Sequence, residues 1–204
     1  MNGADTYETT DPPLAGSSPW PWAATSHYEN FPVGSFLLPA GIRPSVAALY
    51  GFARYADDVA DEGAASPAQR LAELARLREA IAGGTAGTPQ APAVVRRLEP
   101  HISRHRLDRV LLLDLLSAFA QDVTTHRYAT RADVLDYCRR SANPVGRLML
   151  QLFGVLDERT GPLSDAICTA LQLINFLQDI AIDARKCRIY LPQASIAAAG
   201  ARES

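Results

Sequence analysis

The chain has 204 residues, 48% hydrophobic and 21% charged, a composition that supports one globular domain with a good-sized core. Twenty basic residues against 22 acidic ones leave a net charge of -2, which argues against a polyanionic partner such as nucleic acid. Three cysteines without Cys-x-x-Cys spacing suit neither a disulfide framework nor a zinc site and read as buried thiols in a reducing compartment.

Residues 1–19 carry Asp5, Glu8, Asp11, Pro12 and Pro13, lack the basic start and apolar run of a signal peptide, and are expected to be a disordered tail. Residues 20–204 are expected to form the helical domain. Trp20 and Trp22 stand between prolines, and an irregular segment against the core is expected there rather than a membrane contact. His27 to Pro39 has a proline at its end and another within it, and reads as a short helix or turn. Pro44 and Ser45 suit the first turn of a helix whose apolar stripe is Val46, Leu49, Tyr50 and Ala53.

That helix ends in Ala53-Arg54-Tyr55-Ala56-Asp57-Asp58-Val59-Ala60-Asp61-Glu62. Ser66-Pro67-Ala68-Gln69 has the pattern of a cap, an N1 proline and a glutamine reaching back, followed by Leu71, Leu74, Leu77 and Ile81. Gly83 to Pro92 is a surface loop by composition, without a preceding strand that would make it a phosphate loop. An apolar helix is predicted from Leu107 to about Thr125. Val110 to Ala120, its most apolar part, is interrupted by Asp114 and too short to span a bilayer, so a soluble or at most peripheral, cytoplasmic protein is expected. Thr130 and Asp133 can cap the next helix, which holds Tyr137 and Cys138. Asn143-Pro144 reads as a cap and N1 proline, with Gly146 permitting a close approach. Ser164 to about Lys186 is the last periodic segment. No strand alternation is found, and the class is all-α.

Two stretches carry chemistry. On a helix Arg54, Asp57, Asp58 and Asp61 share one side, and like charges at these spacings cost about 0.2–0.5 kcal/mol per pair. Acidic residues at a helix C-terminus also oppose its macrodipole. The stretch is either a solvated acidic helix end or a hard-cation site whose ion also binds a phosphate. In the last segment Gln172, Asn175, Asp179 and Asp183 fall at steps of three, four and four. Flanking Leu171, Ile174, Phe176, Leu177 and Ile180 should aim this stripe into an interior cleft. Two such stripes facing each other in a bundle could hold a metal-bound diphosphate.

With both stretches in view the chain resembles the squalene and phytoene synthase family. The match runs through His27-x-x-x-Phe31, Leu37-Leu38-Pro39, Arg43, Tyr50, Arg54-x-x-Asp57-Asp58-x-x-Asp61, Tyr137-Cys138, Val145-Gly146, Gln172-x-x-Asn175-x-x-x-Asp179-x-x-x-Asp183 and Arg188-Ile189-Tyr190-Leu191-Pro192. The resemblance implies an isoprenoid synthase helical bundle with a central cavity and Mg²⁺ as cofactor. It implies Asp57, Asp58, Asp61, Asp179 and Asp183 as metal or diphosphate ligands, with Arg54, Gln172 and Asn175 at the diphosphate. His27 and Phe31 would line the front of the cavity, and Tyr137 would face the reacting carbons.

The chain departs from prenyl-joining members of the family at Ala142-Asn143-Pro144-Val145-Gly146 and Gln178-Asp179-Ile180-Ala181-Ile182-Asp183. Polar Asn143 near the cavity wall, with His27-Tyr28-Glu29-Asn30-Phe31-Pro32, is similar to the bacterial hopanoid-pathway branch. That similarity implies ionisation of presqualene diphosphate with water capture to give hydroxysqualene, without a nicotinamide cofactor. Head-to-head condensation of two prenyl diphosphates is the runner-up. The family's fold also has helices beyond the Tyr-Leu-Pro segment that this chain, ending at Ser204, does not include. A non-catalytic fragment that binds prenyl diphosphates or assists pathway enzymes is therefore the reading from another class. Arg139, Arg140, Arg185, Lys186 and Arg188 could meet anionic lipid, though ordinary surface charge is the expectation.

Overall fold

The computed structural model describes residues 38–83 and 87–201. The expectations for the N-terminal tail, Trp20, Trp22, His27 and Phe31 lie outside these residues. Among them the regular structure is helical, as the periodicity predicts: α1 (Arg43–Asp61), α2 (Pro67–Ala82), α3 (Ala93–His105), α4 (Arg109–Asp122), α5 (Arg131–Ser141), α6 (Asn143–Phe153), α7 (Thr160–Gln178), α8 (Ile180–Arg185) and α9 (Gln193–Ala198).

Helix α4 is the hub. Its residues Leu112, Leu115 and Leu116 are buried, and α1, α2, α5 and α6 pack around it. A helix surrounded in this way has to be apolar on most sides, which explains why its sequence shows so little amphipathic contrast. Asp108 caps it by accepting the Val110 N–H. Helix α1 lays Val46, Leu49, Phe52, Ala56 and Val59 into the same core at helical spacing, so its polar face is left for the carboxylates.

The caps read from sequence are present at two helices. Ser66 and Gln69 exchange bonds at the start of α2, and Thr130 and Asp133 do so at α5. The third differs. Asn143 is already the first residue of α6, and Ala142 precedes it without a side-chain cap. Helix α3 was not anticipated, although Val94, Val95, Leu98 and Ile102 form its buried stripe. Pro100, which normally costs a helix interior about 3 kcal/mol, stands within it.

Gly146 brings α6 and α7 together. A Cβ there would collide with Ser164 Oγ and Cys168 Sγ, so the close approach predicted for this glycine is made by the neighbouring helix. The last periodic segment is two helices, broken at Asp179. After α8, Cys187 adopts φ 57° and the chain turns back alongside residues 126–129. Ile189 N–H donates to His126 O at 3.0 Å and Gln193 N–H to Tyr128 O at 2.9 Å. This pairing fixes Arg188 and Tyr190 beside the C-terminal end of α4. The cysteines are not uniformly buried thiols: Cys138 is buried, Cys168 partly so, and Cys187 exposed.

Candidate active site

The first acidic stretch occupies the last two turns of α1, as its spacing requires. Arg54 Nη2 meets Asp58 Oδ1 at 2.9 Å and its Nη1 lies 3.5 Å from Asp57 Oδ2. Asp57 and Asp58 remain 46% and 41% exposed, so one guanidinium offsets their charge without covering them. Desolvation, then the neighbouring Asp61 charge, push Asp57 up to about 6 against the pull of Arg54. A carboxyl this reluctant to ionise is the group to which a cation would bring most relief.

Asp61 is compensated from the far end of the chain. Arg188 Nη2 reaches Asp61 Oδ1 at 2.5 Å and Nη1 reaches Oδ2 at 3.2 Å, while Lys186 Nζ lies 3.2 Å from Oδ2. Burial works against ionisation here, but the Arg188 hydrogen bonds and charge outweigh it and hold Asp61 below the usual carboxylate range. Arg188 is buried, so it does not belong to the surface basic patch considered from sequence. Arg139 and Arg140 are engaged by Asp136 on their own helix.

The second acidic stretch spans the α7–α8 break. Asp179 is exposed, and its main-chain carbonyl accepts the N–H groups of Ile182 and Asp183, both at 2.8 Å, which starts α8. Asp183 is half-buried and raised, by burial first and then, against Arg188, by the charges of Asp179 and Asp61. Arg188 links the two motifs, since its guanidinium pairs with Asp61 and its main-chain N–H donates to the Asp183 carbonyl at 2.9 Å. Asn175 and Gln172 lie half-buried about one and two turns before Asp179 on α7.

The apolar flank of this stripe does not lie as expected. Phe176 is buried, but Leu171, Ile174, Leu177 and Ile180 are exposed. Helix α7 packs on α5 and α6 with one face only, and the other presents Leu163, Ile167, Leu171 and Ile174 outward among the described residues.

Tyr137 is only 4% exposed, and its hydroxyl donates to Asp122 Oδ2 at 2.6 Å. Its ring touches those of Tyr128, Tyr190 and Phe176, the last two stacked 4.0 Å apart. Asn143 is 8% exposed, and its Oδ1 accepts the Thr169 hydroxyl at 2.9 Å, tying α6 to α7. Asp122 and Tyr190 were not singled out by their chemistry in the sequence. The signal for Asp122 was available, since an acid at the end of the most apolar helix opposes the macrodipole as Asp61 does.

Among the described residues no three His, Cys, Asp or Glu side chains lie close enough to share one ion. The two motifs do offer an all-oxygen donor set, the chemistry of a hard divalent cation. No helix among them is long and apolar enough to cross a membrane.

The squalene/phytoene synthase family model matches residues 24–204. The hydroxysqualene synthase of Zymomonas mobilis subsp. mobilis is 45% identical over 176 residues, which cover 85% of this chain and 58% of that protein. The 15-cis-phytoene synthase of a Paracoccus species is 35% identical over 192 residues, covering 88% of this chain and 61% of that protein. The crystal structure of squalene synthase HpnC from Alicyclobacillus acidocaldarius superposes with a TM-score of 0.76 at 43% identity, over 86% of this chain and 65% of that one. This chain therefore spans about 58% of the length of the first of these relatives.

Proposed function

The chain belongs to the squalene/phytoene synthase family, and from that premise we propose that it ionises presqualene diphosphate and lets water capture the rearranged cation, giving hydroxysqualene and free diphosphate. The observation that supports the reading is that Arg188 links the two acidic stretches: its guanidinium pairs with Asp61, and its main-chain N–H donates to the Asp183 carbonyl at 2.9 Å. The similarity to hydroxysqualene synthases supports the choice of substrate.

Mg²⁺ would be held by carboxylates drawn from Asp57, Asp58, Asp61, Asp179 and Asp183, no three of which lie close enough to share one ion, and would stabilise the charge that develops on the leaving diphosphate. Arg54 adds a fixed cation at the same end, and Gln172 and Asn175 offer amides along α7. The rings of Tyr137, Phe176 and Tyr190 form one buried aromatic cluster beside Arg188, with Phe176 and Tyr190 stacked on each other. Tight packing around them excludes bulk water from that wall.

Purified chain incubated separately with presqualene and farnesyl diphosphates, in Mg²⁺ and in EDTA, tests this by mass spectrometry of the products. Hydroxysqualene is expected from presqualene diphosphate in Mg²⁺ alone. A condensation product from farnesyl diphosphate would replace the reading with head-to-head prenyl transfer. A wild type no faster than Asp57→Ala at releasing diphosphate would leave only a binding role.

A further inference from the structure

The acid at the end of α4 is built into the site more thoroughly than a satisfied core residue needs to be. Asp122 Oδ2 accepts the Tyr137 hydroxyl at 2.6 Å, Asp122 Oδ1 accepts the Tyr190 hydroxyl at 3.1 Å, and Asp122 O accepts Arg188 Nη2 at 3.2 Å. Arg188 Nη1 also donates to the Tyr190 oxygen at 3.3 Å. The guanidinium can only donate, and the Asp122 carboxyl, which burial pushes up to about 7, accepts from both phenols in its ionised form.

Stability alone gives no reason for this choice. A carboxylate that is 5% exposed at a helix C-terminus opposes the macrodipole and loses its hydration. An apolar residue with two phenylalanines opposite would pack the same space without that cost. What the acid adds is orientation. It holds two phenols from separate segments, α5 and the chain after α8, as donors toward α4. The Arg188 contact is made by the Asp122 main-chain carbonyl, on the same Nη2 that pairs with Asp61, and the Tyr190 hydroxyl held by the acid also accepts from Arg188 Nη1.

We propose that Asp122 is a positioning residue of this site, setting the aromatic wall through Tyr137 and Tyr190 and, by way of the Tyr190 hydroxyl that Arg188 also meets, the guanidinium that pairs with Asp61. The proposal rests on the reading given above, that the site releases diphosphate. Asp122 acts through the hydrogen bonds of its carboxyl to Tyr137 and Tyr190. Misplacing such groups by about 1 Å costs a reaction roughly 100-fold.

The test compares Asp122→Asn, Tyr190→Phe and the wild type in the whole chain. The asparagine keeps the volume and one acceptor but turns the other oxygen into a donor, so the two phenols can no longer both donate. Asp122→Asn is expected to slow diphosphate release from presqualene diphosphate about 100-fold while binding of the unreactive farnesyl thiodiphosphate, measured by calorimetry, stays unchanged. Tyr190→Phe, which is milder for folding, is expected to lose part of the rate with the same unchanged binding. A wild-type rate in Asp122→Asn overturns the proposal, and so does a loss of rate matched by an equal loss of binding.

NMR of ring-labelled tyrosine keeps this test apart from that of the reaction itself. The Tyr137 and Tyr190 Cζ signals, assigned with the phenylalanine variants, should both move in Asp122→Asn. Were the wild type to release no diphosphate, the proposed reaction would fail. Asp122 would then be judged by these signals, and one staying in place would refute its role.

Discussion

Asp57 and Asp61 lie one turn apart on α1, yet the structure assigns their amide variants opposite effects on stability. A carboxyl displaced from 3.8 to about 6 loses about 3 kcal/mol of folding free energy once ionised, at 1.36 kcal/mol per pH unit. Because 46% of the Asp57 side chain is open to solvent, screening brings this down to about 1 kcal/mol. The sign follows from the folded state holding the Asp57 proton more tightly than the unfolded one. Its contribution is intact below the unfolded value and is lost as pH rises through about 6. Asp57→Asn has no such loss, so it should be about 1 kcal/mol more stable than wild type at neutral pH and equal to it at about pH 4. Asp61→Asn should instead destabilise by about 3 kcal/mol, since it strips the carboxylate from a buried guanidinium. Asp61 is held low, so its contribution in the wild type is present above the unfolded value and disappears as the pH falls through the folded one. Urea unfolding followed by far-UV circular dichroism in EDTA measures all three proteins. An Asp57→Asn variant less stable than wild type at neutral pH, or a gain that persists unchanged in acid, would refute the reasoning.

Gly146→Ala gains about 1 kcal/mol of helix propensity but must displace Ser164 and Cys168, which typically costs about 1–3 kcal/mol in a packed interface. A net loss of about 1 kcal/mol is expected, recovered when Ser164 and Cys168 are both alanine; urea midpoints decide. Ser66→Ala removes the acceptor of the α2 capping box and should cost about 1 kcal/mol by the same measurement. Ile167, 61% exposed on α7, lies in a stripe of exposed apolar residues with Leu163, Leu171 and Ile174. Ile167→Glu should leave stability within about 0.5 kcal/mol and reduce light scattering at high protein concentration.

The helical class was legible because burial on one side imposes a three-and-four spacing, and α1 and α2 carry it plainly. Helix α3 carries it too in Val94, Val95, Leu98 and Ile102, but Pro100 and the preceding Gly and Pro residues speak against a helix locally. There tertiary burial overrides propensity. The break at Asp179 was invisible for the converse reason: polar periodicity runs on through it, and only the Asp179 backbone, at φ -98° and ψ 7°, departs from the helix. Asn143 has the residue type of a cap, yet its side chain is taken by Thr169 on a neighbouring helix, a competition no local pattern records.

The candidate site divides along the same line. Repulsion among Asp57, Asp58 and Asp61 is a local quantity, fixed by spacing on one helix, and it can be read without knowing the fold. Compensation is not local: Arg54 is three and four residues from its partners, whereas Arg188 reaches Asp61 across 127 residues. That reach depends on Cys187 turning the chain and on the bonds from Ile189 and Gln193 to residues 126 and 128. The short segment after α8 is therefore as much a part of the site as the acidic helices, since without its pairing to the α4–α5 connection Asp61 would lack its cation and Asp122 one of its phenols. Loosening that pairing should accordingly lower the stability of the first motif and the order of the tyrosine cluster together, although the two belong to different helices.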